Sequence, residues 1–149
     1  MKELFETVMT RLQEQIPEIK MTDFEMGQLE VLAMDQRPAL VFPCALIDIS
    51  YVKCDDQGGG VQIVQARVNV RLAFECPLPT DSRATSARRE AALAIFDTVD
   101  KTYKYLQGYG TDEFSPFSRK TQIPDNRFAG IKIINMAFET TFEDQTAEV

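Results

Sequence analysis

Histidine is absent from this chain. Ser-His and Cys-His nucleophilic pairs, His-ligated zinc and imidazole acid/base catalysis are excluded with it. Cysteine is scarce. Cys44, Cys54 and Cys76 are odd in number, far apart and in no CxxC pair, which predicts free thiols rather than a disulfide framework. Cys44 and Cys76 sit in apolar runs and read as buried. Cys54 follows Lys53 but precedes Asp55 and Asp56, so it lacks the electropositive setting of a reactive thiolate. Positive charge is in deficit: 16 Lys and Arg face 23 Asp and Glu, a formal net charge of -7. That balance argues against a protein whose task is gripping nucleic acid through its phosphates, and no sequence-specific nucleic-acid contact is expected. No apolar run approaches the ~18 residues of a membrane span, so no membrane partner is expected. The opening MKELFETVMTRLQEQ is amphipathic, without a signal peptide's apolar core. These features read as a protein made and kept in a cytoplasm.

What is present suits one folded unit. Apolar residues make up 44% and charged residues 26% of 149, enough for a real core in a single domain over residues 1–149. Leu4, Phe5, Val8, Met9, Leu12 and Ile16 recur at helical steps, and Pro17 ends that first helix. Glu18 to Arg37 shows no clear period and is expected to hold a short strand or an ordered loop. Ala39 to Ser50 reads as a strand covered on both faces, with Pro43 at a bulge or an edge. Lys53 to Gly60, ending in three glycines, reads as a flexible hairpin connection. Val61 to Cys76 alternates apolar and polar residues throughout, the mark of a half-buried antiparallel strand. At ~3.3 Å per residue it would span roughly 50 Å, so part of it should project or bend.

Pro77 to Ser82 ends that strand and offers Asp81 or Ser82 as a helix cap. The second helix is expected from about Arg83 to Gln107. Ala87, Ala91, Ala94, Ile95, Val99, Tyr103 and Leu106 would lie against the sheet, with Gly108 closing the helix. Phe114 to Ile123 reads as an edge strand, and Pro124 to Asn126 as a turn. Phe128 to Phe142 reads as a strand whose apolar phase changes at Ile133 and Ile134, which predicts a bulge. The tail from Asp144 is polar and is expected to fray. The predicted fold class is α+β: an antiparallel four-stranded sheet in the order α-β-β-α-β-β, with two helices packed on it.

No motif carries catalysis. Gly58 to Gly60 leads into a strand, whereas a phosphate cradle opens a helix. Asp48, Asp55 and Asp56 lack the spacing and closing Glu of a calcium loop. Glu139 and Glu143 lie on a strand end without a pocket signature. No cofactor, metal or catalytic residue is expected, and the chain is read as a non-enzyme. The residues that stand out suit contacts instead. Arg67, Asn69 and Arg71 form a polar stripe on the long strand, either a solvated face or a subunit contact rich in Arg. Arg83, Arg88 and Arg89 gather at a helix start, where their charge opposes the helix dipole and an acidic partner would be welcome. Phe114 and Phe117 either cover the sheet edge or anchor a partner.

The order of elements resembles the tail-terminator, or tail-completion and minor tail, proteins of long-tailed bacteriophages. The resemblance rests on the helix Met1 to Ile16, the stretch Gly27-Gln28-Leu29-Glu30 and the proline-punctuated Arg37-Pro38-Ala39-Leu40-Val41-Phe42-Pro43. The long alternating strand, the helix and the closing run Ile131 to Phe142 complete it. It implies a structural protein, from a prophage, that assembles into a homo-hexameric ring on the tail tube and forms the head-tail joining surface. Its partners would be its own copies and the tail-tube and head-completion proteins. Its location would be the virion, with the host cytoplasm during assembly. DNA would pass through a lumen that an acidic protein keeps from sticking. An intracellular adaptor module that binds a partner along the sheet edge is the alternative. An enzyme working by carboxylates alone would need a cleft with carboxylates of raised pKa.

Overall fold

The computed structural model describes residues 1–33, 40–77 and 80–149. Eight elements follow one another: α1 (Lys2–Gln15), β1 (Met21–Phe24), α2 (Gln28–Ala33), β2 (Cys44–Gly58), β3 (Val61–Glu75), α3 (Ser86–Leu106), β4 (Ser118–Asp125) and β5 (Ile131–Asp144). The strands form one sheet in the order β1-β2-β3-β5-β4. β1 runs parallel to β2, and every other pair is antiparallel. The fold is therefore α+β with a five-stranded mixed sheet and three helices. The expected antiparallel four-stranded sheet with two helices is wrong on both counts. The missed pieces are short. MTDF is too brief to show alternation, and the six residues of α2 make under two turns, so neither displays a period. The parallel pairing of β1 with β2 needs a crossover, and α2 lies in it.

The sheet is covered on both faces, unequally. On one face α1 lays Leu4, Val8, Leu12 and Ile16, all at most 1% exposed, against Val68, Val70 and Leu72 of β3. Burying each such side chain stabilises by about 1.5–3 kcal/mol. α3 adds Val99 and Leu106 to the same core. On the other face Leu29 of α2 closes a smaller core with Cys44, Leu46, Ala73 and Ile133. Burial pushes the Cys44 thiol up to about 11, and Glu25 adds to the effect. Beyond α2 this second face is polar.

Double coverage explains the phase change in β5. Ile133 pairs with Ala73 and enters the small core, while Ile134 pairs with Leu72 and enters the large one. The β3–β5 register runs without interruption, so there is no bulge between them. Pro43 stands just before β2 rather than inside it, and the expected start at Ala39 lies outside the described residues, as does Arg37-Pro38. The polar stretch Lys53 to Gly60 is mostly strand, not loop: β2 continues to Gly58, irregular at Tyr51–Lys53 and at Asp56–Gly58. The chain then reverses within Gly59 and Gly60.

The tail is ordered against this turn. The Thr146 N–H donates to Asp144 Oδ1 and the Val149 N–H to the Gly59 carbonyl. A Cβ on Gly60 would lie 2.0 Å from the Ala147 carbonyl oxygen, so only glycine admits the tail here. α3 begins later than expected. Thr85 caps it, its side chain accepting the Arg88 N–H, while Asp81 instead accepts the Arg83 N–H in the preceding turn. Of the expected connection, Leu78 and Pro79 lie outside the described residues. β4 starts at Ser118 and runs through Pro124 and Asp125, so the turn into β5 comes after them.

Candidate functional site

β3 alternates, so Arg67, Asn69 and Arg71 do share the polar face of the sheet. Their surroundings differ because α2 covers only one end of it. Arg67 keeps 48% of its side chain in solvent and pairs with Glu139 at 2.9 Å. Arg67 holds the Glu139 carboxyl below the usual carboxylate range, with help from Gln65. Asn69 sits between them, half-buried. Arg71 is 7% exposed. Its Nη1 donates to Glu30 Oε1 at 2.8 Å and Glu25 Oε1 at 3.3 Å, and its Nη2 to Asp125 Oδ2 at 3.0 Å. Arg127 joins from the edge, donating to Asp125 and Glu30.

This cluster ties β3 to α2 and to the end of β4, so Arg71 serves the fold's interior. Arg127 holds Asp125 far below the usual range. Burial is the largest influence on Glu30 and opposes its ionisation, but the hydrogen bonds from Arg71 and the backbone, with the charges of Arg71 and Arg127, together outweigh it and the net direction is down. The partners were not legible from spacing, since Glu25, Glu30, Asp125 and Arg127 converge only through the crossover and the last turn.

Phe114 and Phe117 are 5% and 2% exposed. Phe114 meets Phe142 edge-on at 5.4 Å between ring centroids, and Phe117 stacks on Tyr109 at 6.4 Å. They pin the loop after α3 to the large core.

Arg83, Arg88 and Arg89 are exposed, and the structure places them at the start of an unpartnered stretch. Ala87, Ala91 and Ala94, expected against the sheet, face solvent instead. Only Thr98, Val99, Thr102 and Leu106 of α3 are buried. The first half of the helix displays Leu93, 58% exposed, and Phe96, 46% exposed. A groove of about 270 Å³ runs beside them, lined by Arg89, Ala92, Ile95, Cys76 and Lys132 among others, and no carboxylate lines it among the described residues. The signal was present in the sequence: Arg89, Leu93 and Phe96 recur at helical steps on a face other than the Val99 stripe.

At the other end of the sheet lies a larger groove of about 550 Å³. Five carboxylates line it: Glu3 from α1, Asp112 and Glu113 from the loop after α3, and Glu143 and Asp144 from β5. Tyr51, Phe114 and Phe142 supply its aromatic part, Tyr51 lying 5.5 Å from Phe142. Among the described residues no Lys or Arg lines it. Sequence reading missed it because its acids come from three separate segments.

The acid/base reading needs a carboxylate of raised pKa in such a cleft. Asp144 goes the other way, held down by hydrogen bonding from Thr146. Glu18, Glu30, Asp125 and Glu139, elsewhere, are also displaced downward. Among the described residues no three His, Cys, Asp or Glu side chains are grouped to hold a metal ion.

No protein-family model matches the chain, and no curated protein does. Among solved structures, a chain of the virion of a native gene transfer agent particle is similar to it, with 11% identity over 92% of each chain and a TM-score of 0.47.

Proposed function

We propose that this chain is a non-catalytic structural protein of a phage-type particle. It would oligomerise into a homo-hexameric ring that caps the tail tube and forms the head-tail joining surface. The observation that carries this reading is the bare first half of α3. Leu93 and Phe96 stand in solvent beside an apolar groove, on a helix whose second half is well packed. Exposed apolar surface grouped in this way marks a place where another protein belongs. The element order adds the resemblance to tail terminators. Stopping tube growth needs no chemistry: each subunit docks on the last tube ring and offers no surface for the next. The partners are then the chain's own copies, the tail tube and the head-completion proteins. The protein would work in the virion after assembly in the host cytoplasm.

The adaptor reading draws on β4, an edge strand exposed along its middle. Arg119, Lys120 and Pro124 stand on it, and charge and proline are the devices that discourage strand addition. This weighs against it.

The test is a tube-assembly assay. Tail-tube subunits of the same particle are polymerised with and without this protein, and tube lengths are measured by electron microscopy. Shortened tubes carrying a ring at one end are expected. Unchanged lengths with bare ends would overturn the reading.

A further inference from the structure

Two unsatisfied surfaces lie at opposite ends of the sheet. Arg83 stands in the turn before α3, paired with Asp81, and the first half of the helix carries Arg88 and Arg89, then Leu93 and Phe96. The other surface carries Asp112 and Glu113, on the loop after α3. Lys132 in one groove and Phe142 in the other stand ten residues apart on β5, about 33 Å at ~3.3 Å per residue. One end is basic and apolar, and the other is an acidic groove with an aromatic wall. A single molecule cannot bring them together.

We infer that the first half of α3 docks into the acidic groove of a second copy of this chain, head to tail. The inference rests on the ring reading and names the surfaces that meet. Charge is complementary: Arg88 and Arg89 would face Glu3, Asp112, Glu113, Glu143 and Asp144 of the neighbouring copy. Apolar surface is complementary as well, Leu93 and Phe96 meeting Tyr51 and Phe142. Aromatic side chains beside desolvated Arg are the usual composition of an interface centre. Two different patches on one chain make a heterologous contact, which closes into a ring when the rotation per subunit divides the circle. Arg89 and Lys132 line the groove beside α3, and Arg88, Glu90 and Asp97 do not, so the groove itself is cationic.

Charge reversal tests this without disturbing the core, because the altered side chains are exposed. One variant carries Arg88→Glu with Arg89→Glu, the other Glu113→Lys with Glu143→Lys. Sedimentation velocity on the full chain, from micromolar to millimolar concentration, reads the association. The wild type is expected to associate more strongly at low salt than at high salt. Each variant alone should associate at least about tenfold more weakly, since the first sets two acidic surfaces against each other and the second cancels most of the groove's charge. An equimolar mixture of the two should regain much of the assembly, because the copies alternate: one contact is the wild-type one and the next pairs the new Glu side chains with the new Lys. Rings indifferent to both variants would overturn this contact and leave the ring reading standing. A mixture that stays dissociated, or a wild type monomeric throughout, would also overturn it. Failure of the ring reading itself shows separately, as tail tubes that the wild type does not cap.

Discussion

Arg71 is a cation that the fold has enclosed. Its guanidinium meets three carboxylates from three segments, and removing it would leave them facing one another with only Arg127 between. Breaking such a pair costs about 3 kcal/mol or more. Arg71→Met should therefore lower the melting temperature on the order of 10 °C in a chain of this size, read by calorimetry. An unchanged melting temperature would mean the cluster is solvated and idle. Acid should act on Glu30 and Asp125 of this cluster, and on Glu139 beside Arg67. Asp125, Glu30 and Glu139 have folded-state pKa values below their ordinary ones. Their contribution is complete above the unfolded values of about 4 and is lost as pH falls through the folded ones. Stability should decline from about pH 5 downward, and the gap between wild type and Arg71→Met should narrow with it. A gap that stays constant down to about pH 2 would exclude this linkage. Period two told correctly which face Arg67 and Arg71 share, but not that α2 would cover one of them. Coverage is decided by a helix six residues long, and nothing in the alternation of β3 records it.

The elements differ in how far their sequences betray them. α1 is legible to the residue because large side chains make its stripe: Leu4, Val8, Leu12 and Ile16 gain most from burial. α3 is legible in extent and not in orientation. Alanines at Ala87, Ala91 and Ala94 suggested a sheet-facing side, yet burying a methyl gains little, so alanine says little about where a helix points. The side that packs uses Thr98 and Thr102, and the Thr102 hydroxyl is satisfied by the Thr98 carbonyl at 2.9 Å. The consequence is a helix with two regimes. Amides of its first half, beside no core, should exchange hydrogen faster than those from Thr98 to Leu106 in the free monomer. Hydrogen exchange read by mass spectrometry checks this at peptide resolution. Uniform protection along α3 in the monomer would show that its first half is held by something within the same chain.

At the scale of the molecule, the antiparallel hairpin β2–β3 and its partner β5 were readable, because each strand is long and alternates or runs apolar. One edge, β4, was readable as an edge strand; the other, β1, hides in a stretch without a period, and the acidic groove is assembled from residues far apart in the chain. The order β1-β2-β3-β5-β4 carries one more implication, for synthesis. β3 is the middle strand, and its second neighbour is the last strand to be made. From Glu75 to Ile131 the ribosome must add 131 − 75 = 56 residues, about 3 to 11 s at the usual elongation rate. Through that interval the nascent chain holds a finished hairpin in which β3 presents an open hydrogen-bonding edge. The most interior strand of the mature protein is thus, while the chain is being made, its most adhesive one.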